Sequence, residues 1–161
     1  VPPGVEITEE LRRVTLAEFT ERYNAHKEDK TTVYAGMPQA LARLKASGLT
    51  LAVLSNKPHE AARPVVDRYY PGIFTAVQGA LPDLPVKPDP TLLRKLMEKL
   101  GAVPTNTLFV GDSNVDIWTA KNGGLTGCGV LWGFRTRAEL EAEGADFIVE
   151  TPEDLTELIL R

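Results

Sequence analysis

Three short segments carry the residues whose types and spacing could do chemistry. In Ser55-Asn56-Lys57-Pro58 an apolar run changes abruptly to a hydroxyl, an amide and a cation just before a helix start. Side-chain donors and free N-terminal amides there could meet one anion; taken alone, the simpler reading is a helix cap by Ser55 or Asn56. In Val86-Lys87-Pro88-Asp89-Pro90 a lysine is restrained by two nearby prolines in a loop. A lysine so fixed can neutralise a phosphoryl group, and a surface lysine in a proline-rich turn is the equal alternative. In Gly111-Asp112-Ser113-Asn114-Val115-Asp116 two carboxylates stand four apart at a helix start. That spacing puts them on one face, and hard oxygen ligands of this kind suit Mg²⁺. Simple capping by Asp112 or Ser113 explains the segment less well, because Asp112 precedes the helix and Asp116 duplicates its charge.

The elements that must position these residues alternate along the chain. Leu11, Val14, Leu16, Phe19 and Tyr23 recur at spacings of two to four, so the sequence predicts a helix over 8–26. A polar stretch at 28–32 reads as a linker and marks a boundary. Beyond it, helices are expected at 37–46, from 58 to about 69 with a bend at Pro64, from Pro90 to 100, at 114–122, from Thr136, and from Pro152 onward. Apolar runs at 49–54, 74–77, 108–110, 129–132 and 147–149 are expected strands. Helices alternating with short apolar runs specify an α/β fold with a parallel sheet covered by helices. In such sheets ligands bind where strands end and loops turn into helices, which is where all three segments fall.

Composition narrows the function. The 161 residues are 43% hydrophobic and 25% charged, the mix of one ordinary globular core. With 18 basic and 22 acidic residues the formal charge is −4, so there is no basic footprint for nucleic acid. No apolar run is long enough to cross a bilayer. Cys128 is the single cysteine; no internal disulfide can form, and its apolar setting suggests a small buried residue in a reducing, cytoplasmic compartment. His26 and His59 are not spaced as zinc ligands. His59 is expected to face solvent in a first helical turn, and Trp118 to be a core residue.

In this order and spacing, the three segments resemble the second, third and fourth motifs of the haloacid dehalogenase superfamily. Ser55-Asn56-Lys57-Pro58, Lys87-Pro88-Asp89-Pro90, Val110-Gly111-Asp112-Ser113, Ala120-Lys121-Asn122 and Trp132-Gly133-Phe134-Arg135 are similar to its phosphoglycolate phosphatase branch. The resemblance runs from about Phe19 to the C-terminus. It implies a Rossmann-like three-layer sandwich and phosphoryl transfer from a small phosphorylated metabolite through an aspartyl-phosphate, with Mg²⁺. Ser55 and the Asn56 amide would hold phosphoryl oxygens, Lys87 would offset charge, and Asp112 would bind the metal, with Asp116 supporting it or the lysine. Lys57 and Arg135 are further candidates for substrate contact.

The superfamily's first motif, an Asp-x-Asp pair supplying nucleophile and general acid/base, has no counterpart: no two aspartates stand two residues apart. The resemblance therefore implies that residues 1–32 are the remnant of a helical cap with its linker, that 33–161 are the core domain, and that the central first strand lies outside the chain. A strand missing between those ending at Ser55 and Val110 would leave two ladder edges unpaired. Either a separate chain supplies it, or it was lost by cleavage, or the two strands rearrange and pair directly. Without the nucleophile the chain by itself is expected to be inactive. A phosphosugar mutase and a haloacid dehalogenase share the scaffold, the latter disfavoured by a metal site at Asp112. A non-catalytic module binding phosphate or a protein is the alternative of another class.

Overall fold

The computed structural model describes residues 6–26 and 31–161. The chain separates into two compact units, Val1–Val33 and Tyr34–Arg161; most of the linker stretch at 28–32 lies outside the described residues. In the first unit α1 (Glu9–His26) begins with Glu9 and Glu10, negative charges that complement the positive end of the helix dipole. Its expected apolar residues Val14, Leu16 and Phe19 are exposed, and the Phe19 and Tyr23 rings stack with centroids 5.8 Å apart.

The second unit alternates α2 (Met37–Ala46), β1 (Ala52–Pro58), α3 (His59–Tyr69), β2 (Ala76–Ala80), α4 (Thr91–Leu100), β3 (Leu108–Gly111), α5 (Asn114–Gly123), β4 (Thr126–Val130), α6 (Arg137–Ala142), β5 (Phe147–Val149) and α7 (Pro152–Leu160). The parallel α/β class expected from the sequence is present, but the strands form two sheets. β1 pairs parallel with β2, Val53 opposite Val77; β3, β4 and β5 pair parallel in that order, Val110 opposite Cys128 and Gly129 opposite Ile148. β1 and β3 do not pair with one another, which corrects the alternative in which they close up directly.

The reason lies in α4. Its Leu92, Leu93, Leu96 and Met97 are buried, and Leu93 and Met97 form a cluster with Ala120 and Leu125 on which Leu54 of β1 and Phe109 of β3 both pack. Each such side chain contributes about 1.5–3 kcal/mol by leaving water, so sliding β1 onto β3 would sacrifice seats already filled. A second cluster, Cys128, Val130, Val149 and Leu155, joins β4 and β5 to α7 and takes Trp132 from the turn after β4.

Two strands sit later in sequence than their apolar runs suggest. β1 continues through Ser55-Asn56-Lys57-Pro58, with an irregularity in its pairing between Leu54 and Pro58, so α3 starts at His59 rather than Pro58 and encloses Pro64. β2 occupies 76–80 instead of 74–77. β4 lies earlier than expected, at 126–130, because its glycines are chosen for closeness rather than hydrophobicity. A Cβ on Gly127 would stand 3.2 Å from Ala120 Cβ, and one on Gly129 2.9 Å from Leu140 Cδ1, so α5 and α6 approach the strand too closely for side chains there. Trp118 is not a core residue: it is 38% exposed and its Nε1 donates to Glu143 Oε2 at 2.7 Å. The helix starts marked by Thr136 and Thr151 stand as expected. Each side chain accepts from the third helical amide while Glu139 or Asp154 reaches back, satisfying otherwise orphaned donors.

Candidate active site

The side chains that end β1 and follow β3 are tied together through Lys87. Asn56 grips the lysine's backbone from both sides: its Oδ1 accepts from Lys87 N at 2.8 Å, and its Nδ2 donates to Lys87 O at 3.0 Å. On the next residue Asn122, at the end of α5, donates to Pro88 O at 2.9 Å, and the Lys87–Pro88 peptide is cis. The loop is thus held from β1 and from α5 at once. Asp89 turns it into α4 by accepting from Thr91 N at 2.8 Å. Its carboxyl is held below the usual range by hydrogen bonds from Thr91, side chain first and backbone second.

So placed, Lys87 reaches Asp116: Nζ donates to Oδ1 at 2.7 Å, with the two side chains only 14% and 9% exposed. The ammonium also lies 5.8 Å from the centroid of the Phe109 ring, within the range of a cation–π contact. The other Asp116 oxygen accepts from Ser113 Oγ at 2.6 Å, and Ser113 caps α5. Gly111 makes room for this carboxylate, since a Cβ there would fall 2.2 Å from Asp116 Cβ. Both oxygens of Asp116 are therefore engaged within the protein, and of its two expected roles the one the contacts favour is anchoring the lysine.

Asp112 stands at the turn between β3 and α5, half-buried. Its Oδ2 accepts from Phe134 N at 3.1 Å, and Oδ1 has no hydrogen-bond partner among the described residues. Among those residues no three His, Cys, Asp or Glu cluster as a metal cage. The donor set nonetheless fits Mg²⁺, which binds through one or two carboxylates and keeps several waters: one carboxylate oxygen is fixed by an amide and the other is free. Ser55 Oγ accepts from Lys57 N at 3.1 Å, which leaves its own hydrogen to donate. Arg135 is half-exposed, 3.8 Å from Glu139 one turn along its own segment, and lines a cavity of about 310 Å³ with Asn114, Glu139, Ala142 and Glu143.

Sequence reasoning missed what holds the site. Asn122 was visible only as part of a resembling flank, Gly133 and the Phe134 amide gave no signal of their own, and His59 is half-buried rather than solvent-facing, accepting from Gly79 N at 3.2 Å. His59 also lines a second cavity of about 310 Å³ along β2 with Arg63, Gln78 and Lys99; none of the motif residues borders it.

Ser55 of β1, the clamped Lys87 paired with Asp116, and Asp112 at the head of α5 thus lie in the three motif segments, and residues 4–130 match the haloacid dehalogenase-like hydrolase family. The chain belongs to that family. Within it the chain is similar to phosphoglycolate phosphatases: 31% identical to that of Pseudomonas putida over 90% of this chain and 53% of the relative, and 32% identical to that of Vibrio vulnificus over 96% and 68%. A crystal structure of a candidate phosphoglycolate phosphatase from Lactobacillus delbrueckii subsp. bulgaricus superposes with a TM-score of 0.89 at 35% identity, covering 99% of this chain and 66% of that one. The chain thus spans about half to two-thirds of the length of these proteins. No helix among the described residues is long and apolar enough to cross a membrane.

Proposed function

We propose that these residues form most of the core of a Mg²⁺-dependent phosphomonoester hydrolase acting on a small phosphorylated metabolite of the phosphoglycolate kind. The observation that carries the reading is the bonded path from Asn56 through Lys87 to Asp116, which joins the three motif segments in one place. Phosphoryl transfer asks a protein chiefly for positioning and charge stabilisation, and each group has a part in that. Ser55 Oγ, oriented by Lys57 N–H, donates to a phosphoryl oxygen, and the Asn56 backbone amide donates to another, its side chain being committed to the lysine. Lys87 offsets charge on the phosphoryl group and on the attacking carboxylate, held at a fixed height by Asp116. Asp112 would hold Mg²⁺, which when bound supplies further positive charge beside the transferring group. Lys57 and Arg135 border the site as substrate contacts, Arg135 after release from Glu139.

The nucleophile is not among the 161 residues, for no Asp-x-Asp pair occurs in them and β1 and β3 each keep an unpaired edge. In this reading a strand from other residues fills that place and brings the aspartate that forms the phosphoryl-enzyme, with residues 1–32 a cap remnant and 33–161 the core. The test is Mg²⁺-dependent hydrolysis of an aryl phosphate and of phosphoglycolate by this chain, by a version extended at its N-terminus through an Asp-x-Asp strand, and by the extended Asp112→Asn variant. Turnover only in the extended protein, abolished by Asp112→Asn, is expected. Turnover in none of them would move the reading to a phosphate- or protein-binding module.

A further inference from the structure

The turn after β4 lies directly against Asp112. A Cβ built on Gly133 would fall 2.1 Å from Asp112 Oδ2, 2.2 Å from its Cβ and 2.5 Å from its Cγ. The whole side chain, from its root to one oxygen, lies against the bare backbone of Gly133. The next residue, Phe134, donates its amide to that same oxygen at 3.1 Å, while its ring is 84% exposed. Phe134 thus serves here through its backbone. Gly133 does not have the left-handed φ that marks other glycines of the chain, such as Gly36, Gly101 and Gly124, so an alanine would meet no backbone strain. The glycine is there for space alone, and the space is filled by Asp112.

We propose that Trp132-Gly133-Phe134 is a positioning element for Asp112: it fixes one carboxylate oxygen by the Phe134 amide and bars rotation by van der Waals contact at Gly133, so that the other oxygen is presented to a divalent cation. The turn is stiff enough for this. Trp132 packs on the Cys128–Val130–Val149–Leu155 cluster, and Leu131 N donates to Val149 O at 3.1 Å, carrying the β4–β5 pairing beyond the strand. The Asp112 carboxylate is therefore oriented from the turn after β4, and a divalent cation bound there would be held by Asp112 and not by that turn. Partners of this kind, which hold a ligand rather than the metal, commonly change metal affinity 10–100-fold when altered. The inference rests on the reading of Asp112 as the Mg²⁺ ligand, and the experiment separates the two.

The full chain, ¹⁵N-labelled, is titrated with Mg²⁺ and with trace Mn²⁺ while amide signals of residues 111–113 and 133–134 are followed. Asp112→Asn is expected to remove the Mg²⁺ shifts and the Mn²⁺ broadening there, and Gly133→Ala to weaken Mg²⁺ by about tenfold or more with the rest of the spectrum kept. Gly127→Ala, in β4 itself, where the added Cβ would stand 3.2 Å from Ala120 Cβ of α5, should lower stability but leave the affinity in place. If Asp112→Asn binds as the parent does, the metal reading falls and the inference with it. If Asp112→Asn loses the ion while Gly133→Ala keeps it, or if Gly127→Ala weakens binding equally, the positioning role alone is overturned. Metal-free hydrogen exchange decides the matter should Gly133→Ala not fold. The Phe134 amide is expected to be protected in the parent and to lose that protection in Asp112→Ala; unchanged exchange would overturn the proposal.

Discussion

Replacing Asp116 by alanine tests the core of the site without any substrate. The substitution leaves the Lys87 ammonium facing the Phe109 ring with its 2.7 Å partner gone. Removing one member of a buried ion pair usually costs about 3–5 kcal/mol, because the other charge stays desolvated. Lys87 keeps 14% of its side chain exposed and a flexible stem, so the lower end, about 3 kcal/mol, is expected. For a chain of this length that corresponds to a fall in Tm of roughly 6–12 °C. Lys87→Met should cost less, since Asp116 retains Ser113 Oγ and the Ser113-capped helix start. The double variant should recover part of the loss, giving a coupling of about 1.5 kcal/mol or more in urea unfolding followed by circular dichroism. Exposed pairs couple by only ~0.2–1 kcal/mol. A coupling under about 0.5 kcal/mol would show a solvated pair and refute the argument that Asp116 holds the lysine in place.

Asn56→Ala should cost about 1 kcal/mol in the same assay, two hydrogen bonds at a partly wet position, and should raise hydrogen exchange at the Lys87 amide; unaltered exchange would contradict the clamp. Burial pushes the Cys128 thiol up to about 11. Its contribution to stability is therefore complete below the ordinary thiol value of about 8.5 and lost as pH rises toward 11, and a thiol reagent near neutrality should label the folded chain far more slowly than the urea-unfolded one. The Asp89 carboxyl is held low by Thr91 and that of Glu139 by the Thr136 backbone amide first and its hydroxyl second. The stability these two caps add is present above the ordinary carboxylate range and lost as pH falls through their lowered values. Parent and Asp89→Asn or Glu139→Gln variants should accordingly differ in Tm at neutral pH and converge as the pH falls below the lowered values.

What could be read from the sequence depended on how local the signal was. Helix starts follow from near neighbours, so Thr136 with its third neighbour Glu139 announced α6, and Thr151 followed by Pro152 announced α7. Apolar periodicity likewise gave α4. Strands depend on partners elsewhere in the chain, which is why β4 was sought at 129–132 and lies at Thr126–Val130, its position set by how closely α5 and α6 approach Gly127 and Gly129. The three motif segments could be picked out because strand-end motifs combine type and spacing, and the structure brings Asn56, Lys87 and Asp116 of those segments together. Their support was not legible. The spacing does not show that the Asn56 side chain clamps the Lys87 backbone, or that the two oxygens of Asp116 accept from Lys87 and Ser113. Glycine is silent in a sequence, and only geometry distinguishes Gly36, which needs its φ of 82°, from Gly133, which needs its missing side chain.

The division of the strands into two sheets gives these supports a further meaning. In a continuous parallel sheet, backbone ladders fix the strands relative to one another and side chains at their ends inherit that order. Between β1 and β3 there is no such ladder. Here the two strands are referred to each other by the α4 cluster beneath Leu54 and Phe109, and by the relay from Asn56 through the Lys87 loop to Asp116 and Asn122. Apolar packing is non-directional and sets the spacing loosely; the hydrogen bonds and the buried ion pair are directional and set the register of the site. The groups proposed to handle phosphate are thus part of what keeps the two half-sheets aligned. It follows that loss of the lysine or its carboxylate should disorder Ser55 and Asp112 together, and that a strand able to pair with both edges would relieve the side chains of that duty while leaving their chemistry in place.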